Sequence, residues 1–167
     1  MTHSREEIFA ALLQEHTGFI HNSLNAYENN EAQRDELYQE VALALWRALP
    51  RFRGDASHRT LIARITHNIG VSHIRKAISN PSTGPLEGKH FSDLPSPETE
   101  AVAQDNMRAL LLAVNRLPLG LRQTVSLYLE DFSNREIAEI LGLSEGNVAV
   151  RLTRARRSLS QLMEKSR

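Results

Sequence analysis

Four arginines, at positions 151, 154, 156 and 157, stand within seven residues of a stretch whose apolar residues recur at helical spacing. A guanidinium can hold a phosphate, or the major-groove edge of guanine, through two parallel hydrogen bonds, so contact with duplex DNA is the chemistry this stretch offers. Val148, Leu152, Ala155, Leu159 and Leu162 form one apolar stripe. At about 100° per residue, Gly146, Asn147, Val150, Thr153, Arg154 and Arg157 fall on the opposite face, with Ala149, Arg151 and Arg156 on its flanks. Before it, Asn134 to Leu141 predicts a short helix, Gly142 supplies the left-handed residue that stops it, and Ser144 caps the next. Two helices joined by so tight a bend make a helix-turn-helix, whose second helix can enter a major groove. A solvated basic face on a surface helix is the plainer alternative, which the turn and cap residues disfavour.

A second group lies at Arg51 to Ser57, RFRGDAS, and on the helix expected after it, where Arg59, Arg64, Asn68, His73, Arg75 and Lys76 point away from Leu61, Ile65 and Ile69. An accessible Phe52 among Arg51, Arg53 and these cations suits stacking on an unpaired base, while a core plug at a helix junction is its structural alternative. A third group is acidic. Asp35, Glu36, Gln39 and Glu40 make one polar strip beside Leu37 and Val41. Such a strip repels phosphates; it suits a basic protein partner, or water at a helix N-terminus.

The elements that must position these groups are all helical, because no stretch alternates like a strand. The first helix opens on a capping box, Ser4 with Glu7, and carries Ile8, Phe9, Leu12, Leu13, His16, Phe19, Ile20 and Leu24 on one broad face. The second runs from about Asn30 to Leu49, stopped by Pro50, with Leu37, Val41, Ala44, Leu45 and Ala48 inward, and the third covers roughly Ser57 to Ile78. The pattern stops over Ser79 to Glu100, where four prolines, two glycines, four serines and four acids meet one lysine. Helical signal resumes near Ala101, with Met107, Leu110, Leu111 and Val114, breaks at Leu117-Pro118, and continues from Leu119 to Leu129. The expectation is an all-α chain of two small domains, 1–78 and 101–167, joined by an acidic linker at 79–100.

A length of 167 residues can bury one ordinary core or two small ones. Formal net charge is zero, yet Arg47 to Lys76 holds seven lysines and arginines against Asp55 alone. Absence of cysteine removes disulfides and thiolate chemistry and suits a cytoplasmic protein. No segment has the roughly 20 apolar residues of a membrane span, and the first residues are too polar for a signal peptide. His16, His21, His67 and His73 lack the spacing of a helical metal site, so no metal, cofactor or catalytic residue is expected.

Two stretches together, DELYQEVALALWRALPRFRGDASHRTLIARITHNIGVSHIRK and LPLGLRQTVSLYLEDFSNREIAEILGLSEGNVAVRLTRARRSL, resemble the two conserved domains of the extracytoplasmic-function sigma factors, specificity subunits of bacterial RNA polymerase. The resemblance implies that Asp35, Glu36, Leu37, Gln39 and Glu40 sit on the polymerase β′ clamp helices, with the β flap as a second polymerase contact. It implies that Phe52 and its loop, with Arg53, hold a flipped base of the minus-ten element, while Arg59, Arg64, Asn68, His73, Arg75 and Lys76 meet the melting strand. It implies that Ser144, Gly146, Asn147, Val150, Arg151, Arg154 and Arg157 face the minus-thirty-five element. The linker would thread polymerase channels that take RNA, and an anti-sigma factor is a further expected partner.

The sequence departs from the family pattern at His58 and Leu61, where an aromatic and a tryptophan are common, and at Ser72, where an aspartate is usual. Ala149 and Val150 replace a basic and a small polar residue, so base readout there is not carried over. Other readings are a protein that only sequesters an anti-sigma factor, a response-regulator output domain, for which a receiver is lacking, and an enzyme, for which no constellation is found.

Overall fold

The computed structural model describes residues 2–79 and 101–165, and only the backbone of 101–103. All regular structure in these residues is helical, and the helices form two compact units. Apart from Ser79, the expected linker lies outside the described residues.

The first unit holds α1 (Arg5–Leu24), α2 (Glu31–Ala48) and α3 (His58–Ser79). Each starts on an oxygen that satisfies an orphan backbone N–H. Ser4 Oγ accepts from the Glu7 amide at 3.2 Å and the Glu7 carboxylate accepts from the Ser4 amide, the expected capping box. Asn30 Oδ1 accepts from Gln33 at 3.1 Å, and Ser57 Oγ accepts from Thr60 at 3.1 Å. Pro50 cannot continue α2, and Leu49–Arg51 tighten into a 3-10 turn.

Leu12, Ile20 and Leu24 of α1, Leu37, Val41 and Leu45 of α2, and Ile62 of α3 make the core of this unit. Each such side chain contributes about 1.5–3 kcal/mol by leaving water. One expectation is corrected. On α3 the expected inward line Leu61, Ile65, Ile69 is only half-buried, and Ile62, Ala63, Thr66 and His67 lie inside. Thr66 is polar but satisfied, its hydroxyl donating to the Ile62 carbonyl at 2.7 Å, so sequence hydropathy misjudged the stripe by about one residue of rotation.

The second unit holds α4 (Ala101–Asn115), α5 (Leu119–Leu129), α6 (Asn134–Leu141) and α7 (Glu145–Lys165). Val114, Leu117, Val125, Leu127, Phe132, Ile137, Ile140, Val148, Leu152 and Ala155 are buried. Ser133 and Glu136 form a capping box, with Glu136 accepting from the Ser133 amide at 2.7 Å. Gly142 adopts φ +68°, a left-handed conformation that glycine takes without steric cost, and turns the chain from α6 into α7.

Candidate nucleic-acid and polymerase interfaces

In α7 the start and the first three residues of the apolar stripe are as the spacing requires, while Leu159 and Leu162 are only half-buried. Ser144 Oγ accepts from the Asn147 amide at 3.1 Å, and Val148, Leu152 and Ala155 are buried. Ser144, Gly146, Asn147, Val150, Arg154 and Arg157 are exposed, so they present one continuous outer row. Arg151 stands apart from them. It is half-buried, and its guanidinium donates to the Gly120 carbonyl at 3.4 Å, so it braces α7 on α5. Arg156 lies over the Tyr128 ring at 5.6 Å, and the Thr153 hydroxyl turns back to the Ala149 carbonyl at 3.0 Å. The free polar ends on this outer row therefore belong chiefly to Asn147, Arg154 and Arg157.

In the first unit, the end of α2, the loop after it and the start of α3 enclose a groove of about 590 Å³. Arg47, Arg51, Arg53 and Arg64 line it with Phe52, Leu61 and a single acid, Asp55. Phe52 is half-buried rather than a core plug, and its ring packs on His58 with centroids 4.7 Å apart. Arginines supply attraction for a phosphate backbone, and a ring at the wall supplies a face for a base. Arg64, Asn68, Arg75 and Lys76 are exposed along α3.

Two residues expected on that strand-facing row lie elsewhere. Arg59 is half-buried. His73 precedes Arg75 by two places, about 200° of rotation, which turns it toward the core side. There its Nε2 meets Glu28 Oε2 at 2.6 Å. Sequence reading misses this pair because Glu28 and His73 are 45 residues apart.

On α2, Asp35, Glu36, Gln39 and Glu40 are exposed, whereas Leu37 is 4% exposed and belongs to the core. Leu37 thus supports the strip from beneath and offers no surface. A residue the sequence reading passed over joins the strip instead: Leu43 is 50% exposed. It lies seven positions after Glu36 and three after Glu40, on their face and about 160° from the Val41 core line.

The deepest ionisable group is His67. Its Nδ1 meets the Tyr27 hydroxyl, its Nε2 has no partner among the described residues, and burial lowers its pKa to about 4. No cluster of metal-ligating side chains occurs among the described residues. No described helix is long and apolar enough to cross a membrane.

Comparison with known proteins bears directly on these surfaces. Residues 12–78 match the family model for sigma-70 region 2, and residues 107–159 match that for sigma-70 region 4. The ECF RNA polymerase sigma factor SigM of Mycobacterium tuberculosis is 29% identical over 157 residues, covering 93% of this chain and 76% of SigM. RNA polymerase sigma factor NccH of Alcaligenes xylosoxydans is 28% identical, covering 95% of this chain and 88% of NccH. In fold, the chain is similar to the sigma factor RpoE of Bartonella quintana, solved with the anti-sigma factor NepR, with a TM-score of 0.75 at 19% identity over 95% and 98% of the two chains. This chain belongs to the sigma-70 family of RNA polymerase sigma factors, in its extracytoplasmic-function group. Its activity is to direct the polymerase to promoters.

Proposed function

We propose that the surfaces described divide the work of initiation as follows. Asp35, Glu36, Gln39, Glu40 and Leu43 dock on the β′ clamp helices of core polymerase. The Phe52 groove, with Arg53 at its wall, takes a flipped minus-ten base, and Arg64, Asn68, Arg75 and Lys76 track the separated strand. Asn147, Val150, Arg154 and Arg157 of α7 read the minus-thirty-five element, with Ser144 and Gly146 at the helix start near phosphate. Residues 1–78 and 101–167 serve as separate minus-ten and minus-thirty-five domains, with the linker 79–100 between them. The β flap is the second polymerase contact and an anti-sigma factor the regulator; the protein acts in the cytoplasm as a specificity subunit, with no catalytic step of its own.

The observation that carries this reading is the division of charge along α2. Its exposed acids, Glu31, Asp35, Glu36 and Glu40, all stand between positions 31 and 40, while arginines 47, 51 and 53 surround an aromatic groove at its end. One helix thereby offers a protein-facing start and a DNA-facing finish, because acids repel phosphates that the arginines attract. Run-off transcription with core polymerase on a library of genomic fragments tests it. Discrete transcripts that depend on this chain are expected; none above the core-only background would overturn the assignment.

A further inference from the structure

The corner between α1 and α2 is pinned to α3 by polar side chains, and the pinning residue also reaches α2. Glu28 is 7% exposed. Its Oε1 accepts from the amide of Asn30, the cap of α2, at 2.9 Å, and its Oε2 meets His73 Nε2 of α3 at 2.6 Å. Arg34, one turn into α2, donates to the carbonyls of Asn29 at 2.8 Å and Glu28 at 3.3 Å, so the corner is held from both sides. Three residues before His73, Gly70 leaves room for the Tyr27 ring, and three before that His67 meets the Tyr27 hydroxyl. One face of α3, at 67, 70 and 73, is thus committed to the corner. The face roughly opposite carries Arg64, Asn68 and Arg75.

We propose that the Glu28–His73 pair is a brace that fixes the rotation of α3 relative to α2, so that a helix docked on polymerase presents the strand-facing row of α3 to the melting DNA. His73 is accordingly a positioning residue and not a DNA contact. The idea rests on the strand-facing assignment of α3 made above. A buried carboxylate bonded at both oxygens has little freedom, which is what transmission of an orientation requires. A pair retained only to hold the fold together needs no link to the α2 cap; Glu28 has one.

The test uses holoenzyme reconstituted from the full chain and core polymerase. Two quantities are read: affinity for core, and affinity for a duplex carrying a short unpaired bubble of randomised sequence, measured against salt. His73→Ala should leave core affinity unchanged and weaken bubble binding about tenfold or more, as misplacement of a positioned group does. The salt dependence should keep its slope, whereas Arg75→Ala should lower that slope by about 1. Glu28→Ala should behave as His73→Ala, the double variant should be no worse than either, and exchanging the two residues should restore binding. If an alanine variant loses helical content, Glu28→Gln and the exchanged pair carry the test, since the glutamine oxygen can still accept from the Asn30 amide while its NH2 group, in place of the oxygen that meets His73, cannot accept. A fall in slope in His73→Ala equal to that in Arg75→Ala would make His73 a phosphate contact and overturn the brace. So would a double variant whose loss is the product of the two single losses. An unchanged slope in Arg75→Ala and in Lys76→Ala overturns instead the strand-facing assignment, leaving the brace to be judged by the coupling of Glu28 and His73 alone.

Discussion

In the proposed polymerase-binding strip, Leu43 is the side chain expected to contribute most to affinity. Exposed acids contribute mainly to encounter rate and partner choice, while affinity concentrates in a few anchors that become fully dry. A leucine 50% exposed at the C-terminal end of the acidic strip, facing away from its own core, is the one large apolar side chain there that a docked partner could dry. Leu43→Ala is therefore expected to lower affinity for core polymerase about tenfold without changing the thermal midpoint of the free chain. Glu36→Lys with Glu40→Lys should abolish binding by putting like charge against the basic partner. Titration of labelled protein against core enzyme separates the two; wild-type affinity in Leu43→Ala would return that residue to the class of incidental surface leucines. Leu43 was illegible in the sequence for a plain reason. It falls outside the inward line of α2, and an isolated apolar residue off the stripe carries no sequence signal that separates an anchor from an incidental leucine.

At α7 the proposed specificity also rests on single residues. Ala149 offers only a methyl group where a long cation could reach phosphate or guanine, and Arg151 and Arg156 are occupied by Gly120 and Tyr128. On the proposed assignment of α7 to the upstream element, Arg154 carries most of the remaining polar readout. Arg154→Ala should cost about 1–3 kcal/mol and relax preference at one or two base positions, whereas Ala149→Lys should strengthen binding to many sequences and steepen its salt dependence. Selection of bound sequences from a randomised upstream element distinguishes them. An unchanged preferred sequence in Arg154→Ala would mean that the wrong face of α7 has been assigned to the groove.

At the scale of the element, helix ends were legible because caps are local. Ser4, Asn30, Ser57, Ser133 and Ser144 each announce a start by a side-chain oxygen that needs no distant partner. Rotation of α3 was not legible, since it is set by the α1–α2 corner, and the sequence places Tyr27 and Glu28 far from Gly70 and His73. Gly70 measures this dependence. In isolation Gly→Ala in a helix gains up to about 1 kcal/mol. Here a Cβ would come within 2.7 Å of three atoms of the Tyr27 ring, a rigid group that is itself 4% exposed. Overpacking of that kind costs typically about 1–3 kcal/mol, so the clash outweighs the propensity. Gly70→Ala should lower stability by about 1–2 kcal/mol net in denaturant unfolding, and a rise in midpoint would show that the corner can move aside.

Over the whole molecule, 20 basic and 20 acidic side chains cancel, yet every proposed contact depends on their separation into an acidic strip, an arginine-lined groove and a basic helix. Net charge is thus a poor guide to DNA binding, because counterion release counts phosphates neutralised locally. The response of the molecule to acid should be equally local. His67 is buried with a pKa near 4, below its ordinary 6.5, because the interior disfavours the imidazolium. The unfolded chain takes up this proton near 6.5 and the folded chain does not. Its contribution is therefore fully present above pH 6.5 and is lost as pH falls toward 4, by on the order of 3 kcal/mol in total. Since His67 belongs to α3, amide hydrogen exchange on the intact chain should show protection falling between pH 6.5 and 4 across α1–α3 beyond the ordinary pH effect, with α5–α7 spared. His67→Gln, which cannot titrate, should flatten that response. Equal loss of protection in α5–α7, or an unaltered acid response in His67→Gln, would place the acid-sensitive group elsewhere in the chain.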